Sequence, residues 1–174
     1  MVRPLRYETE RWGEYSKPGE FVYDHPFLWG SRRIGPDLAR EGGRRSDLWH
    51  LRHFEDPRAV TPRSIMPNYA AMESAHLDFP GIQSRVDAMA MLGVPYGDAI
   101  HHAPEMAREQ AAKIAADLES QGGPAGLGDR EVIALIAYLQ RLGTDLHAPP
   151  VATAAAGAGA GAAPAAHAGS KGRR

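Results

Sequence analysis

Three short features follow one another in this 174-residue chain: Gly35-Pro36-Asp37-Leu38, then Met66-Pro67 in a proline-rich loop, then a C-terminal amphipathic stretch that holds Tyr138 and ends in Leu142-Gly143. Proline 36 has no N–H to donate but leaves its carbonyl free to accept, and Met66 carries a soft, neutral thioether. Two histidine pairs, His50 with His53 and His101 with His102, could offer imidazole nitrogens to a metal, the first pair by i, i+3 spacing on one helical face. Neither pair has a third ligand at suitable spacing, so both read as solvated or hydrogen-bonded side chains. Met66, one of six methionines, reads by itself as a packing residue, and Arg32-Arg33 and Arg44-Arg45 read as a solvated face.

Other chemistries are excluded by what the chain lacks. With no cysteine it can form no disulfide, no thiolate metal site and no thioether link to a cofactor. No nucleophile triad, paired His-Glu motif or phosphate loop is present to support a hydrolase or a metal enzyme. The 20 basic and 21 acidic side chains nearly cancel, so the overall field does not favour nucleic acid. No run approaches the 18 or so apolar residues of a membrane span, and the opening residues MVRPLRYETERW lack the apolar core of a signal peptide.

The elements that must position these residues are helices separated by long connections, as 14 prolines and 19 glycines suggest. Residues 1 to about 48 keep neither a period of 2 nor of 3.6, and are expected to form an ordered extended loop anchored by the aromatic residues Tyr15, Phe21, Tyr23, Phe27 and Trp29. A short helix is expected from Asp47 to Phe54, capped by Ser46 and stopped by Asp56-Pro57. Residues 61–72 read as a loop, because Pro62 and Pro67 bias their predecessors away from helical dihedrals. Val86, Met89 and Met91-Leu92 fit a helix over 82–92 ending at Gly93. A longer helix is expected from Pro104 to about Ser120, with apolar Met106, Ala111, Ile114 and Leu118. The clearest pattern is Asp129 to Leu142, with Asp129 as an acidic cap, Glu131 in the first turn and an apolar face of Val132, Leu135, Ile136, Leu139 and Leu142.

The three ordered features resemble the second half of a class I cytochrome c domain. There a Gly-Pro-x-Leu loop lies beside the haem's histidine ligand, a loop methionine supplies the sixth ligand, and a terminal helix ending in Tyr-Leu-x-x-Leu-Gly crosses the N-terminal one. The N-terminal half sharpens the likeness. The run RYETERWGEYSKPGEFVYDHPFLWGSRRIGPDLAREGG from Arg6 to Gly43, followed by Asp47-Leu48-Trp49-His50 and Asp56-Pro57-Arg58, is similar to the monohaem subunit (subunit II) of cbb3-type cytochrome c oxidases, with GEFVYDHPFLWGS and GPDLAREGG the most distinctive stretches.

The resemblance implies an all-α, loop-rich cytochrome c-like domain over residues 1–146, followed by an Ala/Gly/Pro-rich tail, 147–174, too poor in bulky side chains to order itself. It implies one haem c, with Met66 as axial metal ligand and Gly35, Pro36, Leu38, Trp49, Met66, Tyr69 and Tyr138 around the cofactor. The Pro36 carbonyl would orient the histidine ligand, a thioether opposite histidine would raise the iron's potential, and the arginine pairs could meet haem propionates or steer a donor cytochrome. Trp29, Trp49 and Tyr138 read first as packing residues. The implied partners are the catalytic and dihaem subunits of the oxidase and a donor c-type cytochrome, at the periplasmic face of the bacterial inner membrane. An N-terminal helix preceding this chain would provide the anchor. The family's CxxCH haem-attachment motif also comes first, and Met1-Val2-Arg3-Pro4 corresponds to residues a few positions past its histidine. The chain is therefore expected to start just beyond the haem anchor, with Met1 an internal methionine or the gene truncated, and without covalent haem attachment of its own. The family's ligand loop usually reads Asn-Met-Pro-x-Tyr-Pro, where this chain has Ile65-Met66-Pro67-Asn68-Tyr69-Ala70. The alternative expectation is a haem-free structural piece that docks on the oxidase through its N-terminal loop.

Overall fold

Burial of one apolar stripe from each of three helices determines the architecture. The computed structural model describes residues 1–27 and 38–144, and among these the chain is all-α: α1 (Arg6–Trp12), α2 (Asp47–Glu55), α3 (Pro57–Val60), α4 (Phe79–Met91), α5 (Ala99–Ser120) and α6 (Glu131–Arg141), with short 3-10 turns at Pro18–Phe21, Leu38–Arg40 and Ala70–Glu73. The core gathers Leu51 and Phe54 of α2, Ala111, Ile114 and Leu118 of α5, Leu127, and Val132, Ile133, Ile136 and Leu139 of α6. Residues 145–174, and with them the expected disordered tail, lie outside the described residues, as do Gly35, Pro36, Trp29 and Arg32-Arg33.

α2 forms where its signals place it. The Ser46 hydroxyl accepts from the Trp49 N–H at 3.2 Å, satisfying one of the free donors of a helix start. α6 carries the expected apolar face, with Val132, Ile136 and Leu139 buried and Leu135 and Leu142 half-buried. Its cap differs from expectation: Arg130 occupies the N-cap position without a side-chain cap bond. The Asp129 carboxylate is drawn away by the His76 Nδ1–H at 2.8 Å and by Arg130 Nε at 3.2 Å. Arg130 also donates to His76 Nε2 at 2.7 Å, so the imidazole gives one proton and accepts another. α5 starts at Ala99, five residues earlier than expected, but His102 leaves helical dihedrals (φ −135°, ψ 23°). The continuous part of α5 thus begins beside Pro104, whose ring tolerates only a first turn. α4 starts at Phe79 rather than Ile82, because the Asp78 carboxylate accepts from the Gly81 N–H at 3.0 Å.

The N-terminal segment departs furthest from the sequence reading. In place of an extended loop it contains α1, a helix whose one buried residue is Glu8 rather than an apolar stripe. The Glu8 carboxylate pairs with the Arg3 guanidinium and accepts from the Arg3 N–H. Of the expected aromatic anchors, Tyr15 and Tyr23 are exposed and Phe21 is half-buried. Polar links also hold the segment: the Val2 N–H donates to Ser16 Oγ at 2.7 Å, the Ser16 N–H donates to the Val2 carbonyl at 2.9 Å, and half-buried Arg40 pairs with Glu20 at 3.1 Å.

Candidate functional site

Met66 sits in a loop that the backbone holds in several places. The Asp56 carboxylate accepts from the Arg58 N–H at 3.0 Å, and buried Pro57 starts the single turn of α3. The Ser64 N–H then donates to the Thr61 carbonyl at 2.8 Å, and Ser64 Oγ accepts from the Met66 N–H at 3.2 Å. Beyond it, the Tyr69 N–H donates to the Phe54 carbonyl at 2.8 Å, which brings the loop back to the end of α2. Ile65 is 81% exposed, whereas Met66 is half-buried and packs against the core cluster. The loop therefore turns its thioether inward and its neighbours outward.

α2 forms an aromatic wall. Trp49 stacks on His53 with centroids 4.7 Å apart and planes 14° from parallel, His50 lies 6.2 Å from the Phe54 ring, and the Arg45 guanidinium stands 4.8 Å over Trp49. Nε2 of His50 and Nδ1 of His53 are shut off from solvent and have no hydrogen-bond partner. Leaving such an atom unsatisfied costs about 1–3 kcal/mol. Burial pushes the His50 imidazole below its ordinary range, partly offset by Asp47, and His53 and Arg45 add to the lowering. Burial followed by Arg45 pushes His53 the same way. Glu73, just after the loop, also has a buried oxygen without a partner, and burial followed by the Glu55 charge raises its carboxyl above the usual range.

Of the residues expected around a cofactor, Trp49 lies in the first turn of α2, and Met66 and Tyr69 lie on the loop tied to the end of that helix. Tyr69 is 41% exposed, while Leu38 and Tyr138 face solvent at 49% and 56%. Gly35 and Pro36 lie outside the described residues. The sequence reading has His50 and His53 as solvated or hydrogen-bonded and misses that His50 is buried and His53 half-buried. Each directly precedes a core residue of the same helix, Leu51 or Phe54, and that adjacency marks them as flanking the buried stripe. His101 and His102 are exposed, and no group of three or more His, Asp or Glu able to hold a metal ion occurs among the described residues. A cleft of about 430 Å³ beside α5 and α6, lined by Asp47, Lys113, Asp117, Gln140 and Arg141, does not include Met66.

One inward thioether without a ligand cluster does not suit a bare metal ion, which needs several donors from the protein. It does suit an iron whose equatorial ligands arrive with a porphyrin, because such an iron asks the protein only for axial ligands. The aromatic wall and the unpartnered imidazole nitrogens fit a flat ligand with polar groups at its edge. With no cysteine in the chain, covalent attachment is not a property of these residues.

No curated protein matches the sequence. The family model described as "Cytochrome C oxidase, mono-heme subunit/FixO" matches residues 1–146, most of the chain and all of the helices among the described residues, and the chain accordingly belongs to the monohaem subunit family of cbb3-type cytochrome c oxidases.

Proposed function

We propose that residues 1–146 act as an electron-transfer module that holds one haem c, receives electrons from a donor c-type cytochrome and passes them to the catalytic subunit for oxygen reduction in aerobic respiration. The observation that carries this reading is the inward thioether of Met66 on a loop fixed to α2 by the Tyr69–Phe54 hydrogen bond. When bound, the haem supplies a reversible one-electron iron couple, and the protein's task is to place and tune it.

In this reading Met66 would hold the iron through its thioether, a soft neutral donor that would favour the reduced state. Trp49 and Tyr69 would flank the cofactor with Gly35, Pro36 and Leu38, and the Pro36 carbonyl would orient the histidine ligand by accepting from its second ring nitrogen. Tyr138 completes the set from α6. The catalytic and dihaem subunits are the partners within the oxidase, and the domain works at the periplasmic face of the inner membrane. No helix among the described residues is long and apolar enough to cross a membrane.

The absence of cysteine favours a second reading, a haem-free piece that docks on the oxidase through its N-terminal segment. Translation of the DNA upstream of the Met1 codon, followed by a pyridine haemochrome assay and redox titration of the complete product, separates the two. The first reading expects a Cys-x-x-Cys-His segment, one haem per chain, and loss of the sulfur-to-iron charge-transfer band with a lower potential in Met66→Ala. A complete product without haem would establish the second.

A further inference from the structure

α2 carries two imidazole nitrogens that the fold encloses and leaves unused. His50 is 2% exposed, and neither its Nε2 nor Nδ1 of His53 meets a hydrogen-bond partner. Buried polar atoms are almost always paired, so an exception at a candidate site calls for a physical explanation. Flat surface borders both atoms, since Trp49 stacks on His53 and Phe54 lies beside His50. Arg45, held over Trp49, is near enough for its positive charge to oppose protonation of both imidazoles.

This wall combines aromatic faces, two neutral imidazoles and a cation, which is the complement of a flat aromatic molecule with a carboxylate at its rim. On a porphyrin of the haem type the hydrogen-bond acceptors at the rim are the propionate oxygens. We infer that His50 and His53 are positioning residues that donate from Nε2 and Nδ1 to the haem propionates, with Arg45 as the countercharge. The assignment rests on the haem reading of Met66, whose loop is fixed to the same helix by the Tyr69–Phe54 bond. It extends that reading to two residues and to the chemical group they recognise.

The test uses the complete haem-loaded subunit and the variants His50→Leu, His53→Leu, His50→Gln and His53→Asn. A carboxylate without its donors keeps more negative charge near the iron and favours the oxidised state. Each leucine variant is therefore expected to shift the propionate-bending band in resonance Raman spectra and to lower the midpoint potential. The amide variants, which place an N–H near the same point, are expected to recover part of both shifts. A wild-type measurement avoids dependence on variant folding: with ¹⁵N-labelled histidine, two slowly exchanging ring N–H signals shifted by the iron are expected. Haem-loaded leucine variants with wild-type band and potential, or a wild-type spectrum without such signals, would overturn the propionate assignment and leave Met66 ligation standing. A complete wild-type subunit without haem would overturn both.

Discussion

The backbone N–H of Tyr69 donates to the carbonyl of Phe54 at 2.8 Å and joins the Met66 loop to the last turn of α2. The last carbonyls of a helix have no partner within it, so this bond satisfies an α2 acceptor and fixes the loop together. Phe54 is also a core residue, 6% exposed. Phe54→Ala is expected to cost about 3–5 kcal/mol and to loosen residues 61–69 as well. Urea denaturation measures the first effect, and limited proteolysis detects the second as new cleavage within the loop. Wild-type resistance of that loop in a destabilised Phe54→Ala chain would show that it is held independently of α2.

A second prediction concerns the N-terminal segment, where polar atoms replace an apolar stripe. Ser16 Oγ accepts from the Val2 N–H at 2.7 Å, and both residues are buried. Ser16→Ala removes the acceptor but not the burial, so the Val2 N–H is left unsatisfied at a cost of about 1–3 kcal/mol. Thermal denaturation should show that loss, and Ser16→Thr, which keeps the hydroxyl, should show less of it. Equal losses in the two variants would mean that packing at position 16 matters more than the hydrogen bond.

The close approach of residues 39–43 to the end of α6 yields a third prediction. A Cβ on Gly143 would lie 2.5 Å from the Ala39 carbonyl oxygen, and one on Gly42 equally near the Leu142 carbonyl oxygen. Gly143 also has a positive φ of 77°, which side chains adopt at a cost. Gly42→Ala and Gly143→Ala are each expected to lose about 1–3 kcal/mol. Gly122→Ala is the control, because its φ of 83° is similar but nothing lies within 4 Å of the added Cβ. In equilibrium unfolding it should lose no more than about 1 kcal/mol, and a Gly143 loss no larger than this would rule out the proposed backbone clash.

Residues that declare themselves by a regular apolar period were legible before the structure. Ser46 as the α2 cap, Ile114 and Leu118 on α5, and Val132, Ile136 and Leu139 on α6 lie as their spacing requires. α1 was not legible, because its buried face is the single carboxylate of Glu8, whose partner Arg3 lies outside the helix. Asp129 shows a related failure: an acidic residue one position before a helix start looks like a cap, and only the fold brings His76 within 2.8 Å to claim it. At the candidate site, Met66 and Tyr69 were identified through resemblance rather than periodicity. The enclosure of His50 and His53 depends on which side of α2 is covered, which a nine-residue helix does not encode by itself.

The enclosed histidines also predict how stability depends on pH. Burial lowers the folded-state pKa of both His50 and His53, so the unfolded chain takes up their protons first. Their contribution is therefore complete above the unfolded histidine value of about 6.5 and is lost as pH falls below it toward the folded values. Glu41 and Glu73 act in the opposite sense. Burial raises both carboxyls, with Glu55 adding to Glu73 and Arg45 and Arg44 partly offsetting Glu41. Their contribution is present below the ordinary carboxyl range and is lost as pH rises through the raised folded values. The histidines make the melting temperature fall as pH drops from about 7 to about 5.5, where their unfolded forms titrate, and the raised carboxyls act against that fall. His50→Leu removes one of the two imidazoles responsible and should flatten that fall, whereas His101→Leu, at an exposed position, should leave it unchanged. Melting curves of the three proteins across this range decide the matter, because an unaltered slope in His50→Leu would mean that the enclosed imidazole is not a source of the pH dependence.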